Sequence, residues 1–348
     1  MPQHPDWNPQ AGPLATVSKR LSIVVPCYNE EDCLEELFRR LGDVAGEVAG
    51  DDYEIVLVND GSQDGTWRLI KEAARSDPRV VGIDMSRNYG HQLALSAGLS
   101  YCAGERILVI DADLQDPPEL LKEMMRLMDE GYDVVYGQRR RRDGETYFKR
   151  TSAAMFYRLL ARVTDVDIPI DAGDFRLMSR RALDMLLSMP EQHRFIRGMV
   201  SWIGYRQIAI PYDRSERYAG VTKYPLKKMV RFAVDAITGF SIQPLRLASQ
   251  LGLVLGACGV FLIIYILQAY FRGHVVQGWT SLMAVVVILG SIQMLVLGFL
   301  GEYVGRIYIE SKRRPLFIVQ EVARGDTVAS AGENEAEGEA TVSAFAKK

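Results

Sequence analysis

The sequence predicts an α/β domain built on a mostly parallel sheet, followed by an interfacial amphipathic helix and two transmembrane helices. Residues 21–137 alternate short apolar runs with helix-like stretches, the pattern of repeated βα units. Nearer the C-terminus, Leu247–Phe271 and Trp279–Leu300 contain no charged residue, although the 348-residue chain as a whole mixes both signs to a net charge of -3.

Leu21–Pro26 is a continuous apolar run, as expected of a strand buried on both faces, with a helix from about residue 31. Tyr53–Val58 is the second strand, with a helix from about residue 65. Val80–Met85 is the third, with a helix from about residue 90. Arg106–Ile110 is the fourth, and Pro117 and Pro118 suit the first turn of the helix after it. Asp133–Tyr136 is the fifth strand. Ligands of such sheets bind beyond the carboxyl ends of the strands. The polar clusters fall there: Tyr28-Asn29-Glu30, Asn59-Asp60-Gly61-Ser62, Ser86-Arg87-Asn88 and Asp111-Ala112-Asp113. No GxGxxG or Walker-type loop follows any strand, which argues against a dinucleotide or P-loop site.

Each charge-free run is roughly 20 residues or longer, enough to cross a hydrocarbon core of about 30 Å. Lys227, Lys228, Arg231 and Arg246 precede the first run, and Arg306, Lys312, Arg313 and Arg314 follow the second. The loop between them holds only Arg272 and His274, so the positive-inside bias places both flanks and the large domain in the cytoplasm. Residues 225–246 mix apolar side chains with Lys227, Lys228 and Arg231, as in an amphipathic helix at a membrane surface; an ordinary packed helix is the competing reading. The predicted layout is a flexible N-terminus (1–20), the α/β domain (21–224), the interfacial helix (225–246), spans at 247–271 and 279–300, a cytoplasmic juxtamembrane segment (301–322) and a disordered Ala/Glu/Gly-rich tail (323–348).

Cys27, Cys33, Cys102 and Cys258 form no CxxC pair and read as reduced, mostly buried thiols in a cytosolic setting. Residues 1–20 are polar and Pro-rich without an apolar core, unlike a secretory signal. The mildly acidic charge argues against nucleic acid as a partner.

Asp111 and Asp113 flank one residue at a strand end, so in extended backbone their side chains point the same way. Two such carboxylates suit a hard divalent cation whose shell is completed by substrate phosphates, and Gln115 offers a further oxygen. Read alone, the pair also fits a solvated turn. Asp60, in Val-Asn-Asp-Gly-Ser, is placed to accept hydrogen bonds from a nucleobase, or else is a turn or helix-cap aspartate.

Taken together, Val25-Pro26-Cys27-Tyr28-Asn29-Glu30, Val58-Asn59-Asp60-Gly61-Ser62 and Asp111-Ala112-Asp113-Leu114-Gln115-Asp116 resemble the family-2 inverting glycosyltransferases of GT-A fold. Arg87-Asn88-Tyr89-Gly90-His91-Gln92 narrows the resemblance to polyprenyl-phosphate glycosyltransferases related to dolichol-phosphate mannose synthase. The paired spans, with Gly301-Glu302-Tyr303-Val304-Gly305-Arg306-Ile307-Tyr308 after them, look most like the GtrB-type branch; the resemblance runs from about Leu21 to Val319.

This resemblance implies roles. Pro26, Tyr28, Glu30, Val58, Asp60 and Arg87 would hold the nucleoside of a nucleotide sugar. Asp111, Ala112, Asp113 and Gln115 would hold its diphosphate and a Mg²⁺ or Mn²⁺ ion, with Asp111 nearest the sugar-diphosphate. Gln138, Arg139, Lys149, Ser152, Arg217 and Lys223 would face the lipid phosphate; Asp111, Asp113, Arg139 and Asp174 form the implied catalytic set. Guanidinium and ammonium groups are expected where two anionic phosphates must approach. A phosphate acceptor is already ionised near neutrality, so Asp171 and Asp174, in Asp-Ala-Gly-Asp-Phe-Arg, are expected to bind sugar or order a loop rather than act as a base.

The implied reaction moves glucose from UDP-glucose to undecaprenyl phosphate at a bacterial plasma membrane. Mannose from GDP-mannose and a modified pentose from a UDP donor are the alternatives. A processive polysaccharide synthase would carry Gln-x-x-Arg-Trp, which Gln192-His193-Arg194-Phe195 does not match; a non-catalytic scaffold would not need the full carboxylate set. The small residues Gly252, Gly256 and Gly259 offer a close-packing helix face and suggest a homo-oligomer.

Overall fold

The computed structural model describes residues 19–140, 172–213, 278–325 and 327–330, with scattered positions between 245 and 272. Most of the expected N-terminal arm and interfacial helix, about half of the first span and the tail beyond residue 330 lie outside the described residues. The chain divides into two units, each described by itself: an α/β unit that includes residues 315–330, and a helical unit.

In the α/β unit, strands β1 (Lys19–Cys27), β2 (Tyr53–Asn59), β3 (Val80–Met85) and β4 (Gly104–Val109) alternate with helices α1 (Leu34–Ala49), α2 (Thr66–Ser76) and α3 (His91–Tyr101). A 3₁₀ turn at Pro118–Leu120 leads into α4 (Leu121–Asp129). Then come β5 (Val134–Arg139), β6 (Ala172–Ser179), α5 (Arg180–Ser188), α6 (Ile196–Ile203) and β7 (Gln207–Tyr212). Beyond α7 (Trp279–Ser311), which belongs to the helical unit, β8 (Val319–Arg324) and β9 (Thr327–Ser330) complete the sheet. Its order is β7-β5-β6-β4-β1-β2-β3-β8-β9.

The predicted parallel units form the heart of this sheet. β1 pairs in parallel with β2 and with β4, and β2 with β3. Every residue of β2 is buried, and β1 is buried from Leu21 onward, because helices cover both faces. The fifth strand differs from the simplest reading: β6 is inserted antiparallel between β4 and β5. β5 therefore runs parallel to β4, and β7 parallel to β5. The carboxyl ends of β1–β5 and β7 share one edge, and β6 begins at that edge.

Residues 319–330, expected in a juxtamembrane segment and the start of a disordered tail, form strands instead. β8 lies antiparallel to β3, with Val319 opposite Met85. Its outer neighbour is β9. Ser86 N–H donates to the Ile318 carbonyl at 3.0 Å, and Lys71 of α2 pairs with Glu321 at 2.9 Å.

In the helical unit, α7 runs 33 residues, past the expected end at 300. Its stretch Ile288–Ser311 has a mean hydropathy of 1.5 and is the one helix among the described residues long and apolar enough to cross a membrane. Val286, Met294, Leu297, Val304 and Ile307 are all exposed. These side chains form an exposed apolar stripe along the helix.

Candidate active site

The loops after β1, β2 and β3 are laced together by short bonds to backbone groups. Asn29 adopts a left-handed backbone, φ 55°, which its short polar side chain tolerates. Its N–H donates to Ser62 Oγ at 3.0 Å, while its Oδ1 accepts from Gln63 N–H at 2.8 Å. Glu30 N–H donates to Thr66 Oγ1 at 2.9 Å, and Glu31 Oε2 accepts from Gly65 N–H at 2.7 Å. Asp60 is buried, and its two oxygens accept from Tyr89 N–H at 2.7 Å and Gly90 N–H at 2.9 Å. Burial pushes its carboxyl up, against those two hydrogen bonds. The next residue has to be glycine: Gly61 has φ 65°, and a Cβ there would lie 2.6 Å from Asn88 N.

Asp111 follows β4. Its Oδ1 is buried without a hydrogen bond, 3.6 Å from His91 Nε2, although the side chain as a whole is 28% exposed. Burial raises the carboxyl to about 6; His91 opposes the rise, and the charges of Asp174, Asp116 and Asp113 add to it. Asp113 Oδ1 accepts from Gln115 N–H at 3.2 Å, which turns the loop back on itself. Between them Leu114 is buried yet left-handed, φ 56°. A bulky side chain held there stores strain, as is common where a loop presents functional groups. Among the described residues no group of three or more His, Cys, Asp or Glu side chains is arranged to hold a metal ion. The orphaned Asp111 oxygen and an all-oxygen set from Asp111, Asp113 and Gln115 nevertheless fit a hard cation whose shell is completed by ligand oxygens.

Asp174 sits near the start of β6 and is buried to 2% exposure. Arg197 of α6 grips it with both ends of its fork, Nε at 2.8 Å and Nη2 at 3.0 Å. His91 Nε2 lies 3.0 Å from Asp174 Oδ2, Gln92 Nε2 donates to the same oxygen at 3.3 Å, and Gln92 Oε1 accepts from Ile196 N–H. Burial by itself would raise this carboxyl; the charges of Arg197 and His91 prevail and hold it well below the usual range. His91 shows the reciprocal effect: burial pulls it down, and the bond to Asp174 with the Asp111 charge raises it.

Arg139 ends β5. Its Nε donates to Tyr212 Oη at 3.3 Å, and its Nη2 lies 3.9 Å from Asp116 Oδ1. The Tyr212 hydroxyl donates to Asp116 Oδ1. Burial and the adjacent Asp116 raise the Tyr212 hydroxyl far above its ordinary value, so it stays protonated.

The strand-end edge thus collects Tyr28, Glu30, Asp60, Arg87, Asp111, Ala112, Asp113, Gln115, Gln138, Arg139 and Asp174. Tyr28 is exposed, and Arg87 is exposed with its guanidinium 4.1 Å over the Tyr89 ring. Pro26 and Val58 are register partners buried inside the sheet, just before their loops. Lys149, Ser152, Asp171, Arg217 and Lys223 lie outside the described residues. His91, Gln92, Arg197, Asp116 and Tyr212 belong to the networks but were not singled out from the sequence. His91, Gln92 and Asp116 lie within the quoted motifs; Arg197 and Tyr212 carry no local signal.

Residues 22–187 match the model of glycosyl transferase family 2, and residues 243–307 match the GtrB C-terminal hairpin. "Uncharacterized glycosyltransferase YkcC" of Bacillus subtilis (strain 168) is 50% identical over 302 residues, 86% of this chain and 93% of that protein. "Prophage bactoprenol glucosyl transferase homolog" of Escherichia coli (strain K12) is 38% identical over 306 residues, 88% of this chain and all of that protein. "Bactoprenol glucosyl transferase" of Shigella phage SfII is 37% identical over 311 residues, 88% of this chain and 99% of that protein. The chain belongs to the family 2 glycosyltransferases, with the GT-A type of mostly parallel mixed sheet. Within that class it carries the GtrB-type hairpin.

Proposed function

We propose that this chain transfers glucose from UDP-glucose to a polyprenyl phosphate of the undecaprenyl type, with inversion, at the cytoplasmic face of a bacterial plasma membrane. The observation that carries this reading is the Asp111 carboxylate. Its orphaned oxygen lies at the strand-end edge beside the buried Asp174 and the Arg197 and His91 side chains that grip it. The hairpin match and the relatives described as bactoprenol glucosyl transferases support the acceptor class and the sugar.

In this reading a phosphate oxygen of the acceptor attacks the anomeric carbon in line. The carbon–oxygen bond to the diphosphate breaks, and UDP leaves with the electron pair. The acceptor, with a second pKa of about 6, is largely ionised at neutral pH and needs no protein base. Asp174, held ionised by Arg197, is a sugar-binding or ordering group. Tyr28, Glu30, Asp60 and Arg87 line the nucleoside site, with Pro26 and Val58 beneath. Arg139 offsets the repulsion between the two phosphates, together with Gln138, Lys149, Ser152, Arg217 and Lys223. Asp111, Asp113 and Gln115 would hold a Mg²⁺ or Mn²⁺ ion, which when bound supplies positive charge to the leaving diphosphate. The spans at 247–271 and 279–300 would form a two-pass anchor, assembled as a homo-oligomer, that keeps the site in the headgroup layer.

A panel of nucleotide sugars with undecaprenyl phosphate in nanodiscs tests the reading. Sugar is expected in the lipid fraction from UDP-glucose, at least 100-fold less after Asp113→Ala. Transfer from another donor alone would replace glucose as the sugar. Turnover that persists unchanged in chelator would remove the metal from the mechanism.

A further inference from the structure

Arg139 is held in place by residues from two other elements. Asp116, 1% exposed, closes the loop that begins at Asp111; Tyr212, 4% exposed, ends β7. The donors run in one direction, Arg139 Nε to Tyr212 Oη and the Tyr212 hydroxyl to Asp116 Oδ1. These contacts use Nε and Nη2 of the fork and do not engage Nη1. The space is reserved by two glycines. A Cβ on Gly137 would come 2.7 Å from the rings of both Phe175 and Tyr212, which meet edge to face at 5.8 Å. A Cβ on Gly173 would come 3.0 Å from Arg139 Nη2. A buried hydroxyl–carboxylate pair therefore fixes an arginine that closes a strand, between side chains that could not pack this way with larger neighbours.

We propose that Tyr212 and Asp116 are positioning residues that aim the Arg139 guanidinium at the acceptor phosphate and tie it to the Asp111 loop. This rests on the reading in which Arg139 meets that phosphate. A guanidinium fixed by a bond to Nε keeps less rotational freedom to lose when it binds an anion. The link also joins the donor-side loop to the acceptor-side strand through one side chain.

Tyr212→Phe keeps the ring against Phe175 and removes only the hydroxyl. In the full chain in nanodiscs, it should raise the polyprenyl phosphate KM about tenfold, the effect of one lost hydrogen bond. UDP-glucose affinity, read by calorimetry, should stay within about twofold. Asp116→Asn is a second variant with the same expected split, should Tyr212→Phe fail to fold. In an Arg139→Ala background, Tyr212→Phe should add nothing to the acceptor KM. A lower melting temperature with the acceptor KM unchanged would make the pair merely structural and overturn the inference. If Arg139→Ala itself leaves the acceptor KM unchanged, the reading of Arg139 falls, and this inference falls with it. An impaired Arg139→Ala beside an unimpaired Tyr212→Phe removes the inference alone.

Discussion

The two halves of the strand-end edge are built differently. On the β1–β3 side, loops about one βα unit apart are joined by backbone groups: Asn29 to Ser62, Glu30 to Thr66, Tyr89 and Gly90 to Asp60. Toward the β4–β7 side, charged or hydroxyl side chains meet across much longer stretches of chain: 83 residues from His91, at the start of α3, to Asp174 and 96 from Asp116 to Tyr212. The first half is a cradle of mostly neutral N–H groups fixed by local geometry. The second is a set of ion pairs whose alignment depends on several remote elements. The first kind of construction shapes a pocket for a rigid nucleoside; the second can concentrate charge where phosphates must be brought together.

Three substitutions probe that contrast. The largest effect is expected for Asp174→Asn, which leaves the Arg197 fork, and the buried Arg176 with Nη2 3.7 Å from Asp174 Oδ1, without their carboxylate charge. Breaking such a pair costs about 3–5 kcal/mol, and thermal denaturation reads it. Because the Asp174 carboxyl is depressed, its contribution is present above the ordinary carboxylate pKa of about 3.9 and is lost as pH falls through the folded value. The gap in melting temperature between wild type and variant should therefore narrow below about pH 4. Turnover lost in this variant should not return as pH is raised; recovery at high pH would instead make Asp174 a base.

Next in size is Gly61→Ala on the neutral side. The left-handed backbone alone costs about 1–2 kcal/mol, and the added methyl would press on Asn88 N. UDP-glucose affinity should fall while the acceptor KM stays unchanged. Equal loss on both sides would mean that the two halves are not independent. The smallest effect is expected for Lys71→Ala, away from both halves. The Lys71–Glu321 pair is partly exposed, so its loss should cost about 1 kcal/mol or less and leave turnover alone. A large loss of activity would show that β8 acts on the β3 loop through more than covering the edge.

What was legible in the sequence follows the same division. β1 to β4 announce themselves by unbroken apolar runs, and their loops carry motif residues close together in the chain. β6, in Ala-Gly-Asp-Phe-Arg-Leu-Met-Ser, was not legible because the buried Asp174 and Arg176 interrupt its hydrophobic pattern. β7 contains Pro211, which argues against a central strand; it is in fact the edge strand, where a missing N–H is tolerated. Arg197 and Tyr212 join the site only because the sheet order sets β6 beside β4, with β5 and β7 beyond it, and no local spacing encodes that order. β8 pairs with a strand more than two hundred residues earlier, so its mixed composition read as the end of a juxtamembrane segment running into a tail.

β8 also bears on how this protein can be handled. Without Val319–Arg324, strand β3 would present a row of unpaired backbone donors and acceptors, the template on which chains join edge to edge. A soluble catalytic fragment cut simply before the apolar helices would uncover that edge and tend to self-associate. An internal deletion that rejoins the α/β unit to residues 316–324 would keep the edge covered. The last strand of the sheet is made by chain that comes after the apolar segment, so solubilising this domain means excising the middle of the sequence rather than trimming its end.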